Sequence, residues 1–499
     1  MEGQGSTNAP SPDALPMRIQ KAASWLAQEL GLHSLAVAGW DTYILLISRF
    51  FRMVAYGAIA LILALYLAEL DITDTQIGLF MTLTLLGDVV ISLTLTIVAD
   101  GIGRRLVLFF GALLMVASGI VFALASNYWV LLAAAVFGVI SPSGNEIGPF
   151  RAIEESTLAH LSPPEARSDI FAWYVVTATI GTATGLGMGG IIVEHFQKTP
   201  GWTHLDAYRT LFWVYAGLGI IKAIITLLMS QQCEVDTKKD ASAGIEHEPL
   251  LNGHTDGGDG GSCDEQRNGT EAARKSLLIG ISNESRAVFV RLGLLFALDA
   301  FSSGMVPYSL INLFMDRKHH MPKDRLGAVM SATWFASSIS NVFASAISKR
   351  LGLIPTMVFT HLPSAVFLAL IPIPSSLALC ICFLVGRATL NSIDQAPRSA
   401  FISAAFSAEE RTTVMGAFNV LKTLSKSGGP IVTGVLAGGD RFWIAFVVAG
   451  VLQASYDFGL LAMFVNHKFR GAEVTERNAG NQDEQTPAEE RPLSASSRG

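Results

Sequence analysis

The chain has 499 residues, of which 51% are hydrophobic and only 15% are charged, and its formal net charge is -6. A soluble domain typically carries about 25% charged residues, so the composition argues against a soluble protein, and no basic stripe indicates a nucleic-acid partner. The sequence has no HExxH, no GxSxG and no Gly-rich phosphate loop, and its four cysteines lack metal-ligand spacing. We therefore expect a protein that is not an enzyme and has no cofactor and no metal site.

Apolar segments long enough to cross a bilayer recur twelve times, in two sets of six. A hydrocarbon core about 30 Å thick needs about 20 mostly apolar residues per helix. The predicted crossings 1 to 12 span about 42–68, 76–98, 106–125, 129–157, 169–194, 210–230, 288–314, 326–347, 355–373, 377–403, 413–437 and 441–465. We predict an all-α membrane protein with twelve transmembrane helices in two pseudo-symmetric six-helix bundles, residues 41–230 and 286–466.

Two of the crossings contain residues that interrupt a helix. Crossing 4 contains the segment 141–144, which reads Ser-Pro-Ser-Gly, and then Pro149, and crossing 10 contains Pro397. Proline removes a backbone donor from the helix. Irregular backbone is tolerated within a membrane only where it is buried in protein or lines a cavity. We therefore expect both crossings to be kinked or partly unwound.

Polar segments flank and separate the two bundles. Residues 1–40 form an N-terminal tail, in which residues 17–30 have the spacing of an amphipathic helix or of a simple lead-in to crossing 1. Residues 231–285 and 467–499 contain too few apolar residues to fold, so we expect a disordered linker and a disordered tail.

Positive charge beside the outermost crossings favours a cytoplasmic location for both termini and the linker. The basic residues concerned are Arg18, Lys21, Lys468 and Arg470. Residues 246–251 in the linker resemble an acidic dileucine sorting signal of the endosome–vacuole route. We therefore expect a multi-pass protein of the plasma membrane or the vacuolar membrane.

The two sets of crossings are copies of one another. The aligned pairs are Gly185 with Gly429 and Gly190 with Gly434 at a shift of 244 residues, and Gly103 with Gly352 at a shift of 249 residues. Duplicated halves of six helices are a common construction of secondary transporters.

The turn after crossing 2 carries a family motif. Residues 96–105 read Thr-Ile-Val-Ala-Asp-Gly-Ile-Gly-Arg-Arg and resemble the major facilitator superfamily signature between helices 2 and 3, G-x-L-A-D-R-x-G-R-K. The matching residues are Asp100, Gly103, Arg104 and Arg105. The resemblance implies a charge latch that joins the two halves when the site faces outward. The alternative is an ordinary positively charged turn on the cytoplasmic side.

Glycines in crossing 5 resemble the antiporter signature of the same family, G-x-x-x-G-P-x-x-G-G. The matching residues are Gly181, Gly185, Gly189 and Gly190, whereas Leu186 replaces the proline, which weakens the case for drug–proton antiport. Together with Gly429 and Gly434 in crossing 11, these glycines are predicted to let helices approach closely, with or without a role in gating.

Ionisable residues at bilayer depth are costly and usually functional. The resemblance implies that helices 1, 4, 7 and 10 line a central path. The predicted cavity residues are Arg49, Arg52, Tyr56, Glu146, Arg151, Arg387, Asn391, Lys422 and Lys426. One face of crossing 10 is polar throughout, because Arg387, Asn391, Asp394 and Arg398 follow helical spacing. The alternative for the buried charges is that they form ion pairs that orient the helices.

The remaining charges receive different interpretations. Asp299 lies mid-helix without a basic neighbour on its own turn and is the first candidate for a proton carrier, followed by Asp394 and Glu146. Asp88 and Asp457 lie off the central path and are predicted to form structural ion pairs. We expect Lys222 to extend toward an interface and Glu154 and Glu155 to lie near the cytoplasmic surface, where Arg151 can reach either carboxylate.

These observations predict a monomeric secondary active transporter that moves a small solute by alternating access, coupled to protons. Its partners are the small-molecule solute, the lipid bilayer and protons. Basic residues slightly outnumber acidic residues among the candidates, which favours an organic or inorganic anion. A neutral solute, efflux of amphipathic drug-like compounds, and a transporter-like sensor without net flux remain alternatives.

Overall fold

The computed structural model of the chain describes residues 32–138, 140, 149–163, 166–233, 283–394, 397–398, 401–402, 405–406 and 408–464. Several predictions fall outside these residues. They concern the segment 17–30, most of the linker with its sorting signal, the tail, Glu146 and the side chain of Asp100.

The described helices of the N-terminal half are α1 (Leu32–Ala36), α2 (Trp40–Glu69), α3 (Asp74–Ile102), α4 (Arg104–Leu124), α5 (Tyr128–Gly138), α6 (Pro149–Leu161), α7 (Arg167–Gln197) and α8 (His204–Leu227). A short 3-10 turn, Gln231–Cys233, follows α8.

The described helices of the C-terminal half are α9 (Asn283–Met305), α10 (Tyr308–His319), α11 (Lys323–Leu351), α12 (Leu353–Leu370), α13 (Leu377–Ile393), α14 (Ala408–Ser427), α15 (Gly429–Gly438) and α16 (Phe442–Phe464). Within the described part of the chain, eight helices are long and apolar enough to cross a membrane, and α5 and α13 are shorter apolar helices.

Crossings 4, 7 and 11 each contain two helices within the described residues. In crossing 4, α5 ends at Gly138, Ile140 is not helical, and the next described helix, α6, begins at Pro149; the predicted interruption at 141–144 lies outside the described residues. Crossings 7 and 11, which we predicted as continuous helices, are also broken. Pro307 precedes α10, and Pro430 lies in the first turn of α15, after the break at Gly428. Each proline lacks the N–H that a continuous helix needs, so each helix restarts there.

Two backbone features repeat between the halves and support the duplication. Asp71, after α2, and His320, after α10, are 249 positions apart and have positive φ angles of 57° and 46°. Gly103 and Gly352, also 249 positions apart, have φ angles of 104° and 91°. Residues other than glycine rarely adopt positive φ angles. The recurrence of these angles at equivalent positions indicates that the turn after crossing 1 matches the turn after crossing 7, and that the turn after crossing 2 matches the turn after crossing 8.

The halves meet through pairs of helices that a pseudo-twofold axis exchanges. Helix α7 packs against α11, and α15 packs against α3. Because α7 corresponds to α15 and α11 corresponds to α3, the two contacts are copies of one another. Helices α2 and α10 also pack together, near the end of the bundle that lies away from the linker.

Candidate functional site

Glycine pairs hold the two halves together at these exchanged contacts. A Cβ atom on Gly190 would overlap the backbone oxygen of Lys323 and lie 3.1 Å from the Cα atom of Gly327. A Cβ atom on Gly434 would lie 2.9 Å from the Cα atom of Gly78. The backbones of the two halves are therefore in direct contact at Gly190 and Gly434, which a side chain at either position would prevent.

The other predicted glycines pack within one half. Gly181 faces Met53 of α2. Gly185 and Gly189 face Val54 and Ala58 of the same helix. In the C-terminal half, Gly429 faces the backbone of Gly304 at the end of α9. The close approach that we predicted for these glycines is present. Among them, only at Gly190 and Gly434 would an added Cβ atom meet the opposite half.

Polar contacts join the halves at the end of the bundle away from the linker. The guanidinium of Arg317 donates hydrogen bonds of 2.8 and 2.7 Å to the carboxylate of Asp74. The backbone N–H of Lys323 donates to Glu194 Oε2 at 2.7 Å. Asp74 and Lys323 both begin second crossings of their halves, but Arg317 lies on α10 and Glu194 on α7, so the two polar contacts join different pairs of helices.

A cluster of buried charges lies inside the N-terminal half, around Glu154 of α6. The carboxylate accepts a hydrogen bond of 2.6 Å from Arg52 and lies 3.4 Å from Arg49 Nη1 and 3.3 Å from Lys222 Nζ. Tyr174 donates to it at 2.8 Å, and the Arg49 guanidinium lies 3.7 Å from the centre of the Tyr174 ring.

This cluster corrects two predictions. Glu154 and Lys222 have side chains that are each only 1% exposed, so Glu154 is not near the surface and Lys222 does not extend to an interface. Buried cations are unfavourable without a negative charge beside them, and Glu154 supplies that charge to Arg49, Arg52 and Lys222. The predicted pairing of Arg151 is confirmed with Glu155, at 2.6 Å.

A second cluster lies in the C-terminal half, around Asp299 of α9. Arg398 Nη1 donates to Asp299 Oδ2 at 2.6 Å, and the same guanidinium pairs with Asp394. His361 of α12 lies between two carboxylates, with its Nε2 atom 3.5 Å from Asp299 and its Nδ1 atom 3.0 Å from Asp457 of α16. Asp299 therefore has basic partners on other elements, which its own helix did not reveal.

The two clusters have opposite polarity. In the N-terminal half the cations Arg49 and Arg52 lie on crossing 1 and the carboxylate on crossing 4, whereas crossing 7 supplies the carboxylate Asp299 and crossing 10 supplies Arg398. His361 is the residue that sequence reasoning missed. The sequence feature that could have indicated it is a single ionisable side chain within an otherwise apolar helix. Asp457 in crossing 12 has the same feature.

Arg387 occupies a different environment, near the middle of the predicted crossing 10. It lies ten residues after the start of α13, or about 15 Å along the helix, which is half the hydrocarbon thickness. The residue is 8% exposed, and its buried Nε atom has no hydrogen-bond partner among the described residues. Tyr308, directly after the break in crossing 7, lies near Arg387, and the centre of its ring lies 5.3 Å from that of Trp334.

The other predicted cavity residues are partly exposed. Tyr56, Asn391, Lys422 and Lys426 each have intermediate exposure, and Lys422 Nζ lies 5.4 Å from the ring of Phe296. In the predicted gating turn, Arg105 donates to the backbone oxygen of Leu227 at the end of α8. This contact of Arg105 lies within the N-terminal half, whereas a latch requires a contact between the halves.

Two pseudo-symmetric helical bundles around buried ionic clusters define a multi-pass membrane protein of the transporter type. The family model of the Major Facilitator Superfamily matches residues 45–277 and 292–495. The chain belongs to this superfamily, and the predicted fold of twelve transmembrane helices in two pseudo-symmetric bundles is confirmed.

Among similar proteins, the uncharacterized membrane protein YJR124C of Saccharomyces cerevisiae is 34% identical over 433 residues, which are 86% of this chain and 95% of the yeast protein. The quinolone resistance protein NorA of Staphylococcus aureus is 25% identical over 210 residues, 42% of this chain and 49% of NorA. The crystal structure of the nucleoside transporter NupG has a TM-score of 0.64 at 14% identity and covers 86% of this chain and all of NupG, 100%. The likeness to NupG shows the fold alone. As a member of this superfamily, the chain is a membrane transporter of small solutes.

Proposed function

We propose that this transporter is a secondary active carrier that moves a small organic or inorganic anion by alternating access, coupled to protons. The anion binds at the bilayer midplane, beside the break in crossing 7. Binding sites at discontinuous helices near the midplane are typical of secondary transporters. Arg387 is the main anchor of the anion in this proposal.

The observation that carries the proposal is the contrast between Arg387 and the buried carboxylates of the two clusters. Glu154, Asp299 and Asp457 each lie beside a basic side chain of their own half. Arg387 is nearly as buried, but the described residues place no carboxylate beside it. A buried cation without a counter-ion is strongly unfavourable, so a bound anion would supply the missing charge. The planar guanidinium suits carboxylate or phosphate groups.

Exposure of the charged side chains supports the same choice. The acidic side chains of the two clusters are almost fully buried, with Glu154 at 1% and Asp299 at 6% exposure, whereas Arg52 and Arg398 are 13% and 12% exposed. The charge that solvent reaches in both clusters is therefore mainly basic. A positive cavity of low dielectric attracts anions.

A second candidate is efflux of amphipathic drug-like compounds. The similarity to NorA favours it, although that similarity covers about half of NorA. The adjacent Tyr308 and Trp334 rings offer an aromatic surface for such a compound. We further propose that the carrier is monomeric, that both termini and the linker are cytoplasmic, and that it resides in the plasma membrane or the vacuolar membrane.

Ligand-dependent thermal unfolding of the purified protein in detergent tests the anion proposal. The panel contains phosphate, succinate, citrate and benzoate, with choline, glucose and a quinolone for comparison. We expect at least one anion to raise the unfolding temperature of the wild type and of Arg441→Gln, whose arginine is exposed. Arg387→Gln should lose that shift. Stabilisation by the quinolone alone would favour the second candidate.

A further inference from the structure

We propose that His361, held between Asp457 and Asp299, is the group that binds and releases the coupling proton. The proposal rests on the proposed proton-coupled function and assigns its proton site to crossings 7, 9 and 12. Of these, crossings 9 and 12 lie outside the helices of the expected central path. Asp299 then serves as the link between the proton site and the path.

The geometry around the imidazole ring points to an extra proton. His361 Nδ1 lies 3.0 Å from both carboxylate oxygens of Asp457, and Nε2 lies 3.5 Å from Asp299 Oδ1. A neutral imidazole has one N–H group and one lone pair. With neutral His361 and two ionised carboxylates, the lone pair would face a negatively charged oxygen. The arrangement is favourable only if His361 is an imidazolium or one carboxylate is protonated, and either form stores one proton.

The charged side chains around His361 also indicate that the site stores one proton. Asp457 comes from α16, Asp299 from α9, and Asp394 follows α13. Opposite them are Arg398, which contacts Asp299 and Asp394, and Lys422 of α14, which acts on Asp299 at longer range. Among the described residues the three carboxylates therefore exceed these two cations by one charge. A proton on His361 balances the cluster, as a buried site requires.

The neighbours of the ring shield it from solvent. His361 is 1% exposed, and the Tyr456 ring lies 5.5 Å from it in an edge-on arrangement. The guanidinium carbon of Arg398 lies 5.2 Å from the centre of the same tyrosine ring, and the Arg398 side chain is 12% exposed. A proton therefore reaches His361 only when Arg398 and Asp299 rearrange.

That rearrangement provides the coupling. An imidazolium at His361 shares the single negative charge of Asp299 with Arg398, since His361 lies at Oδ1 and Arg398 at Oδ2, and the two cations repel each other. Protonation thus weakens the hold of Asp299 on Arg398, whereas loss of the proton strengthens it. Arg398 belongs to crossing 10, so the protonation state of His361 alters the charge at the path.

The test uses pulsed electron–electron distance measurements, which need no knowledge of the substrate. Spin labels are placed at positions 202 and 441, in the loops before α8 and α16, in the full-length protein without its native cysteines and in lipid nanodiscs. Distances are compared at about pH 5.5 and about pH 8, which bracket the titration of an ordinary imidazole. The variants are His361→Gln, Asp457→Asn and, as a matched control, His160→Gln, whose histidine is exposed.

We expect a pH-dependent shift of the distance distribution in the wild type and in His160→Gln, and its loss in His361→Gln and Asp457→Asn. A wild type that does not respond to pH would contradict the proton coupling of the proposed function as well. A wild type that responds together with an equal response of His361→Gln would overturn only the assignment to His361.

A direct measurement keeps the proposal testable if His361→Gln does not fold. Nitrogen-15 spectra of the histidine-labelled protein should contain a titrating, deeply buried imidazole signal that changes in Asp457→Asn and is insensitive to soluble paramagnetic agents. A His361 signal that stays in one neutral form across the whole range would overturn the proposal.

Discussion

Arg317 and Asp74 connect the two halves through two parallel hydrogen bonds, at 2.8 and 2.7 Å. The contact lies at the start of α3, one turn from Gly78, whose backbone meets that of Gly434. At the other glycine contact, beside Gly190, the backbone N–H of Lys323 donates a hydrogen bond to Glu194. The bundle is therefore closed at the end away from the linker by two pseudo-symmetric backbone contacts, each with a different polar contact beside it.

Gly190→Ala should prevent this end from closing. The added Cβ atom would overlap the backbone of Lys323, and overpacking of this kind costs about 1–3 kcal/mol. Because 1.4 kcal/mol is about a tenfold change in an equilibrium, the spin-label pair at positions 202 and 441 should report a longer distance. Gly217→Ala is the matched control, since a Cβ atom there meets nothing within 4 Å. Equal distances in both variants would show that the glycine contact does not control closure.

Arg317→Ala should open the same end to a smaller extent. The Arg317 side chain is 42% exposed, and exposed ion pairs contribute about 0–1 kcal/mol. We expect an increase of the open population by up to about fivefold, which high salt reproduces in the wild type by screening. Arg325→Ala, a nearby exposed arginine, should leave the distances unchanged. A larger effect of Arg325→Ala than of Arg317→Ala would contradict the assignment.

Glu154→Gln should destabilise the N-terminal half strongly. It leaves Arg49, Arg52 and Lys222 buried without their shared carboxylate, and breaking a buried ion pair in this way costs about 3–5 kcal/mol. Thermal unfolding in detergent measures the loss. Glu155→Gln is the control, because the Glu155 side chain is 30% exposed and its pair should contribute little.

A double variant separates charge balance from packing at the same cluster. Lys222→Met combined with Glu154→Gln removes one cation together with the carboxylate, so we expect part of the lost stability to return. Strictly additive destabilisation would indicate that Lys222 and Glu154 do not interact, in conflict with their separation of 3.3 Å.

The sequence was sufficient for the fold because the fold depends on local composition and on duplication. Each crossing is a run of apolar residues, and Gly185, Gly190, Gly429 and Gly434 already indicated the repeat. The breaks at Pro307 and Gly428 were missed because a single proline or glycine in an apolar run does not by itself interrupt the pattern.

The partners within the candidate site were beyond the sequence. Lys222 lies 68 positions from Glu154, and His361 lies 96 positions from Asp457. Spacing along one helix gives the face of a side chain, but not which other helix that face meets. From the sequence we therefore placed Lys222 at an interface and assigned no role to His361. Arg151 and Glu155 lie on one helix, and their pairing was predicted correctly.

The most direct test of anion transport around Arg387 is uptake into proteoliposomes. The wild type, Arg387→Gln and the control Arg441→Gln are reconstituted at equal density, and accumulation of the stabilising anion is followed with and without a pH gradient. We expect accumulation driven by the gradient in the wild type and the control, and its loss in Arg387→Gln. Binding of the anion without any uptake by the wild type, or full uptake by Arg387→Gln, would contradict the account.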